Sequence, residues 1–159
     1  MTNKNKRLEW VNNQWIEKGK RPKFIIEERI LDYNTPIRGI YGIFIVTEEV
    51  KYCAYVGRST NIYRRLFGSN GHIAKMKTKK GHPISNINRA MKSNDKTIYI
   101  KILQEVALEG DNFYKDMQRL ASAECQFIDY YQDLNQCLEQ IPEGIRMTEK
   151  EWRKNIKNL

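Results

Sequence analysis

The sequence lacks the long apolar runs and the cysteine pairs that mark membrane, secreted and zinc-binding proteins. No segment approaches the roughly 20 apolar residues of a membrane helix, and the lysine-rich first residues lack the apolar centre of a signal peptide. The cysteines, Cys53, Cys125 and Cys137, include no C-x-x-C pair, so nothing indicates a disulfide framework or a zinc site. We therefore expect a cytoplasmic protein, not bound to a membrane, whose cysteines are buried free thiols.

Acidic residues are almost missing from one stretch of the chain. Residues 58–101 hold eleven Lys and Arg against the single acid Asp95, a net charge of +10, while the whole chain carries +9. A basic block of this size indicates a polyanionic partner such as DNA, the alternative being a solvated surface without a ligand. With 40% hydrophobic residues in 159, the chain fits one globular domain with a modest core.

The middle of the chain predicts a β-hairpin that carries reactive side chains. The runs Ile40–Val46 and Tyr52–Val56 are β-branched and aromatic, and a short polar connection separates them. Pairing the strands symmetrically about Glu48 places Tyr41 opposite Tyr55, and opposed residues of an antiparallel pair point to the same face. The hairpin therefore predicts two phenols in one patch.

A short helix is predicted directly after the hairpin. Ser59, Thr60 and Asn61 offer side-chain oxygens to cap it, and the turn-forming cluster 68–71 ends it. Arg65 lies about one turn into this helix. The phenols and the guanidinium are thus expected to meet near a helix N-terminus, where backbone amides favour an anion such as phosphate.

The spacing of these residues resembles that of the GIY-YIG nuclease family, with valine for isoleucine in the second triplet. The resemblance rests on Gly39-Ile40-Tyr41, Tyr55-Val56-Gly57, Asn61 and Arg65. It implies an α+β fold, with a small three-stranded antiparallel sheet flanked by helices, and metal-dependent cleavage of phosphodiester bonds in DNA. The size of the chain suggests a freestanding restriction-type or phage-type endonuclease.

The two histidines both lie inside the basic block. The stretch from His72 to His82, followed by Arg89, resembles the region of intron-encoded members of the family where two histidines follow the catalytic arginine. The spacing from Arg65 to His72 is three residues longer than the corresponding spacing in those family members. His72 is therefore a candidate active-site group, and His82 a candidate phosphate contact or helix cap.

A long amphipathic helix is predicted from Asn112 to Leu134, and Glu124 lies in its apolar stripe. An inward carboxylate is costly unless it is paired or binds a cation. One interpretation is a buried salt bridge to Arg65 or Arg89. The other is a Mg²⁺ ligand, which the resemblance favours because the family has a metal-binding glutamate on its C-terminal helix; Mn²⁺ would be a substitute metal.

The remaining elements are predicted from pattern alone. Leu8, Val11 and Trp15 recur at helical spacing, and Gly19–Pro22 would close that helix. Further predictions are a helix from Pro83 to Lys92, a third strand from Thr97 to Leu103, and a capping box from Thr148 to Glu151 that opens a final helix. Phe24–Ile26 is ambiguous between strand and helix. Residues 39–135 would form the nuclease core, with accessory segments at 1–38 and 136–159.

The resemblance and the charge together assign roles to individual residues. The expected catalytic residues are Tyr41, Tyr55, Arg65, His72 and Glu124, with Glu124 also the metal ligand. The expected DNA contacts are Arg58, Asn61, Lys75, Lys77, Lys80, His82 and Arg89. Which tyrosine acts as the base is left open, and a homodimer would allow both strands of a palindrome to be cut. The alternative function is a noncatalytic nucleic-acid-binding module with a basic face.

Overall fold

A computed structural model describes residues 3–13, 21–141 and 147–157. The strands are β1 (Phe24–Ile26), β2 (Gly39–Val46), β3 (Lys51–Ser59) and β4 (Thr97–Glu105). The helices are α1 (Asn3–Asn12), α2 (Ile62–Phe67), α3 (His72–Lys77), α4 (Ser85–Lys92), α5 (Phe113–Asp133) and α6 (Glu149–Lys157), and a 3-10 turn covers Glu28–Leu31. Trp15 and Gly19, on which the extent of the first helix was predicted, lie outside the described residues.

The sheet has four strands in the order β1-β4-β2-β3, so the prediction of a three-stranded antiparallel sheet is wrong, although the α+β class is confirmed. β2 lies between β3 and β4 and is antiparallel to both, while β1 adds to the outer side of β4 in parallel. Phe24 and Ile26 are buried whereas Ile25 is half exposed. Three residues are too few to distinguish a strand from a helix by periodicity. The pairing of Phe24–Ile26 with β4 is what makes this segment a strand.

The register of the β2–β3 hairpin differs from the predicted one by two residues. Tyr41 pairs with Gly57 and Ile43 with Tyr55, and a β-bulge follows between Ile43 and Phe44. The bulge adds a residue to one strand, which symmetric pairing could not anticipate. Side chains alternate with a period of two, so Tyr41 and Tyr55 still share a face, with ring centroids 6.2 Å apart.

Two glycines allow close packing where a larger residue would clash: Gly57 beside the two tyrosines, and Gly39 beside strand β4. A Cβ on Gly57 would lie 2.5 Å from the Tyr41 hydroxyl oxygen and 2.7 Å from Cε1 of Tyr55. A Cβ on Gly39 would overlap the carbonyl oxygen of Gln104 on β4, and the residue has a φ of +152°. The glycine opposite Tyr41 therefore lets both phenols lie against the backbone of β3.

Helices cover both faces of the sheet, so apolar side chains alternate along β2 between two cores. On one face Tyr41 and Ile43 pack with helices α2, α3 and α4. On the other, Ile40 and Phe44 pack with α5. This arrangement directs Glu124, in the middle of α5, toward the sheet.

Local capping explains where the helices begin. Asn112 caps α5 by accepting a hydrogen bond from the Lys115 amide, within one residue of the predicted start. Helix α4 begins at Ser85 and not at Pro83, because the Glu139 carboxylate accepts hydrogen bonds from the Ser85 and Asn86 amides. The predicted capping box of α6 is confirmed by reciprocal hydrogen bonds between Thr148 and Glu151.

The outer edge of β3 is covered by the segment 136–140, within the predicted C-terminal accessory region. The amide of Cys53 donates to Gln136 Oε1 at 2.7 Å, and the Cys137 amide donates to the Cys53 carbonyl at 2.8 Å. Gln140 pairs with both backbone groups of Val56. Side chains thus take the place of a neighbouring strand, which protects the edge from pairing with another chain.

The cysteines differ in exposure. Cys53 and Cys137 are buried as expected, but Cys125 is exposed, so the expectation of a buried thiol is wrong there. Cys125 follows Glu124 on α5, and when Glu124 faces the sheet the next residue is turned by about 100° toward solvent.

No helix of residues 3–13, 21–141 and 147–157 has the length and apolarity that a bilayer crossing requires.

Replacing Gln140 by alanine tests the importance of this edge cover. Gln140→Ala leaves the buried amide and carbonyl of Val56 without partners, which should lower the free energy of unfolding by about 1–3 kcal/mol. Urea denaturation measures the change. Gln126→Ala, at an exposed position of α5, is the control and should unfold like the original protein; equal midpoints for both variants would contradict the role given to Gln140.

Candidate active site

A cleft lies where β3 ends and α2 begins. It consists of two adjoining cavities of about 540 and 330 Å³, which share Ser59, Thr60 and Arg65 as lining residues. The larger cavity also includes Arg58 and, on its other wall, the first turns of α5; the smaller one includes the turn 68–71. We call both cavities together the Arg65 cleft, because Arg65 lines each of them.

A chain of buried hydrogen bonds lies within electrostatic reach of Arg65. The hydroxyl of Tyr41 lies 2.6 Å from His72 Nε2, and His72 Nδ1 lies 2.7 Å from His82 Nε2. The Ile84 amide donates to His82 Nδ1 at 3.1 Å. This last bond assigns the tautomers: His82 carries its proton on Nε2 and donates to His72, which in turn donates from Nε2 to Tyr41.

Burial keeps both histidines neutral. It lowers the pKa of His72 well below its ordinary value, and the neighbouring His82, Arg65 and Lys75 act in the same direction. Burial, together with Lys75 and Arg65, lowers the pKa of His82 to about 4. His72 therefore cannot meet a substrate directly: it is buried and holds Tyr41 in place.

The two tyrosines are not equivalent. Tyr41 has no exposed surface, and burial raises its pKa well above the ordinary value, with a further rise from Tyr55 and a smaller lowering by Arg65. Cationic surroundings lower the pKa of a phenol, but at Tyr41 desolvation outweighs the lowering by Arg65. Since Tyr41 accepts from His72, its own proton is not used in that bond, and the nearest phenol is Tyr55, whose ring centroid lies 6.2 Å away. Tyr55 is partly exposed and is the phenol that can contact a substrate.

Glu124 faces inward, as its place in the apolar stripe predicts. Its Oε1 lies 2.5 Å from Nη1 of Arg58, and its side chain is 5% exposed against 28% for Arg58. Arg58 was expected only as a DNA contact. The ion pair joins α5 to β3 beside the Arg65 cleft, and the negative charge of Glu124 reaches far enough to raise the pKa of Tyr41.

A divalent metal would have one protein carboxylate here. Within the described part of the chain, no group of three or more His, Cys, Asp or Glu side chains is placed to hold a metal ion. Mg²⁺ commonly takes only one or two carboxylates and completes its shell with water and substrate phosphates. The donor set at Glu124 therefore fits Mg²⁺ in the presence of a phosphate and does not fit a closed zinc site.

Three of the expected DNA contacts lie at or near the cleft. Arg58 lines it, and Lys75 on α3 is partly exposed and acts electrostatically on both histidines. Asn61 also lines it, but its side chain caps α2 by accepting from the Arg64 amide at 3.0 Å. Asn61 therefore orients the helix that carries Arg65, and a phosphate contact would compete with this cap.

The other four lie elsewhere. Lys77 stacks on Trp10, 4.6 Å from the ring centre, and Lys80 is exposed in the following loop. His82 is buried with both ring nitrogens engaged, so we assign it to the support of His72 and not to phosphate contact. Arg89 lines a cavity with Thr47 at the opposite end of the hairpin.

The first turn of α5 contributes residues that pattern reasoning missed. Phe113 is 67% exposed, although its position matches the apolar periodicity of the helix, and Tyr114 is 82% exposed; neither was predicted as functional. Both line the Arg65 cleft. The signal is present in the sequence, because two consecutive residues of a helix point about 100° apart and cannot both face the core.

Comparisons of the chain with models of known protein families, with curated proteins and with solved structures found no match. The similarity to GIY-YIG nucleases is therefore carried by the two triplets, Asn61, Arg65, the histidine region and Glu124.

The neutral histidines predict a pH dependence of stability. Their pKa values are lower in the folded than in the unfolded protein, so the unfolded chain binds more protons and stability falls as the pH drops below 6.5 toward 4. His82 alone should cost about 2 kcal/mol between pH 7 and pH 5, and His72 adds to it. Urea denaturation across this range should give a flatter pH profile for His82→Gln. An identical slope for both proteins would contradict the buried, neutral state of His82.

Proposed function

We propose that this protein is a metal-dependent DNA endonuclease of the GIY-YIG type. One observation carries the proposal: Arg58 and Arg65 line one cleft, and the inward Glu124 is paired with Arg58. Arg65 also acts electrostatically on the hydrogen-bonded Tyr-His-His chain, against which the Tyr55 ring packs. The cleft lies at the start of the basic block 58–101. Catalytic sites combine a titratable group, a cation and a buried carboxylate in this way.

Arg65 is the group that binds the scissile phosphate. It lines both cavities of the cleft, so a phosphate entering from either side meets its guanidinium. A planar guanidinium can hold two nonbridging oxygens at once. The charge that develops on phosphorus during hydrolysis then lies beside a cation that the fold has already positioned, which is the main source of rate enhancement in such sites.

Tyr55 is the residue that takes a proton from the attacking water. Tyr55 acts as a phenolate that becomes a neutral phenol, and a proton donated by Tyr41, whose ring centroid lies 6.2 Å away, would stabilise that phenolate. His72 holds the Tyr41 hydroxyl by donating to it, so the Tyr41 proton is not used in that bond. In this scheme Tyr41 and His72 are positioning residues, and the water's proton passes only to Tyr55.

Glu124 would hold Mg²⁺ together with the substrate phosphate. When bound, the ion neutralises charge on the phosphate and on the leaving 3′-oxygen. The same carboxylate is paired with Arg58 in the described structure. The ion pair thus keeps the buried carboxylate compensated before the substrate arrives, and Arg58, which lines the cleft, can then turn to a phosphate oxygen.

The noncatalytic alternative is favoured by one observation. Among the residues that the structure describes, Glu124 belongs to no group of three or more His, Cys, Asp or Glu side chains that could hold a metal ion. A basic nucleic-acid-binding module would need the Arg65 cleft but not the metal. Incubating supercoiled plasmid with the protein, with Mg²⁺ or with EDTA, separates the two: Mg²⁺-dependent nicking or linearisation supports the nuclease, and binding without cleavage supports the module.

Arg65→Ala should reduce plasmid cleavage roughly 100-fold or more, because one preorganised positive group at the phosphate is lost. Arg89→Ala is the matched control: it removes one arginine from the same basic block but at the far end of the hairpin. It should change cleavage little at moderate salt. Initial rates of nicking measure both, and equal losses would mean that only overall charge matters.

Glu124→Gln should abolish Mg²⁺-dependent cleavage while DNA binding is retained. It leaves Arg58 partly buried without its carboxylate, so stability should fall by about 1–3 kcal/mol. Asp116→Asn is the matched control, because Asp116 is also a buried α5 carboxylate and is paired with Arg38 at 2.6 Å. Both variants should melt earlier, but only Glu124→Gln should lose cleavage when assayed below its melting temperature. Cleavage by the folded Glu124→Gln protein would return Glu124 to a purely structural role.

A further inference from the structure

Two large aromatic side chains stand in solvent at the wall of the Arg65 cleft. Phe113 and Tyr114 are 67% and 82% exposed, and their rings meet edge to face with centroids 5.4 Å apart. Neither is needed to pack α5, since the helix is anchored by Leu120 and Ile128 in the core. Burying them would release water from a large apolar surface, so a ligand that covers them is favoured.

The helix turn that carries these rings is held rigidly. Asp116 pairs with Arg38, the residue directly before β2, at 2.6 Å. Arg119 donates to the carbonyl of Ala107 at 3.2 Å, and the Asn112 side chain caps the helix. The aromatic pair is therefore presented in a fixed position relative to β2, which also carries Tyr41.

The cations of the cleft and the two rings line one cavity from different elements of the fold. Phe113 and Tyr114 line the same cavity of about 540 Å³ as Arg58 and Arg65. A site with cations on one wall and aromatic faces on the other matches a nucleotide, whose phosphate is anionic and whose base has two π-faces. In a stacked duplex both faces of each base are covered by neighbouring bases, so an aromatic side chain can reach only a base that is unpaired or unstacked.

Two other exposed aromatic residues, Trp10 and Tyr130, are engaged differently. Trp10 is already covered by Arg7 and Lys77, whose cationic groups lie 4.9 and 4.6 Å from its ring centre. Tyr130, exposed on the same helix α5, packs edge to face against Tyr131 and does not line the Arg65 cleft. Tyr130 is therefore a suitable control position for substitutions of the two rings.

We propose that Phe113 and Tyr114 form a stacking site for an unpaired nucleobase adjoining the phosphate held by Arg58 and Arg65. This inference rests on the proposed function and makes it more specific. The preferred substrate is then DNA with unpaired nucleotides next to the scissile bond, such as a single strand, a flap or a branched junction, in place of a uniform duplex.

The test compares binding of two fluorescently labelled DNAs, a single-stranded oligonucleotide and a blunt duplex of the same sequence, in EDTA so that no cleavage occurs. The double variant Phe113→Ala/Tyr114→Ala should bind the single strand roughly 5- to 100-fold more weakly, the usual loss when a stacking aromatic is truncated. Its affinity for the duplex should change less than about twofold. Tyr130→Ala should leave both affinities unchanged.

A second readout reports stacking directly. An oligonucleotide that contains 2-aminopurine should lose fluorescence on binding the original protein and should lose much less on binding the double variant. The more conservative Phe113→Leu/Tyr114→Leu keeps apolar bulk but removes the π-faces, and it should behave like the alanine variant. This variant also covers the case in which the alanine protein does not fold.

The outcomes separate this inference from the proposed function. If the original protein binds neither DNA, both the nuclease and the stacking site are wrong. If it binds without any Mg²⁺-dependent cleavage, the proposed nuclease is wrong and the stacking site is judged on binding alone. If it cleaves DNA but the aromatic variants bind both DNAs as before, or lose both equally, the stacking site is wrong and the nuclease stands. The stacking site is supported if the double variant selectively loses affinity for the single strand and the 2-aminopurine oligonucleotide keeps its fluorescence when this variant binds it.

Discussion

The hydrogen-bond chain from the Ile84 amide to Tyr41 is the interaction on which the site depends. A backbone amide, which has one fixed donor role, sets the tautomer of His82, and each later bond follows from it. Because both histidines are buried and neutral, the chain places no positive charge behind the tyrosines. The cationic character of the cleft therefore comes from the arginines that line it, Arg58, Arg64 and Arg65, which lie where a phosphate can reach them.

Local sequence patterns predicted much of the fold. The differences between the predicted and the observed structure come from pairing between distant segments. The hairpin, the stop after α2 and the extent of α5 follow from turn residues, caps and apolar periodicity, which act over a few residues. The parallel pairing of β1 with β4 and the bulge after Ile43 depend on contacts between distant segments. For the same reason the edge cover by residues 136–140 could not be predicted: it depends on Gln136 and Gln140 reaching β3 from more than 80 residues away.

The features of the candidate site can likewise be separated into those that local patterns predict and those that depend on distant contacts. Inward placement of Glu124 and the shared face of Tyr41 and Tyr55 were predictable, because both follow from the periods of a helix and a strand. The unequal burial of the two tyrosines was not, since it depends on how α3 closes over one of them through His72. Nor could pairing of Glu124 with Arg58 be predicted, because charge and spacing alone offered several arginines.

The contrast between the two walls of the cleft gives the arrangement its chemical meaning. On the side of β3 and α2, Arg58 and Arg65 can neutralise a phosphate, but they would bind any polyanion and so discriminate poorly. On the side of α5, Phe113 and Tyr114 contribute no charge, and in the stacking site proposed above their faces would pair with a base that has left its own stack. Affinity from one wall and selection from the other would let a small protein recognise the state of a DNA strand without reading its sequence.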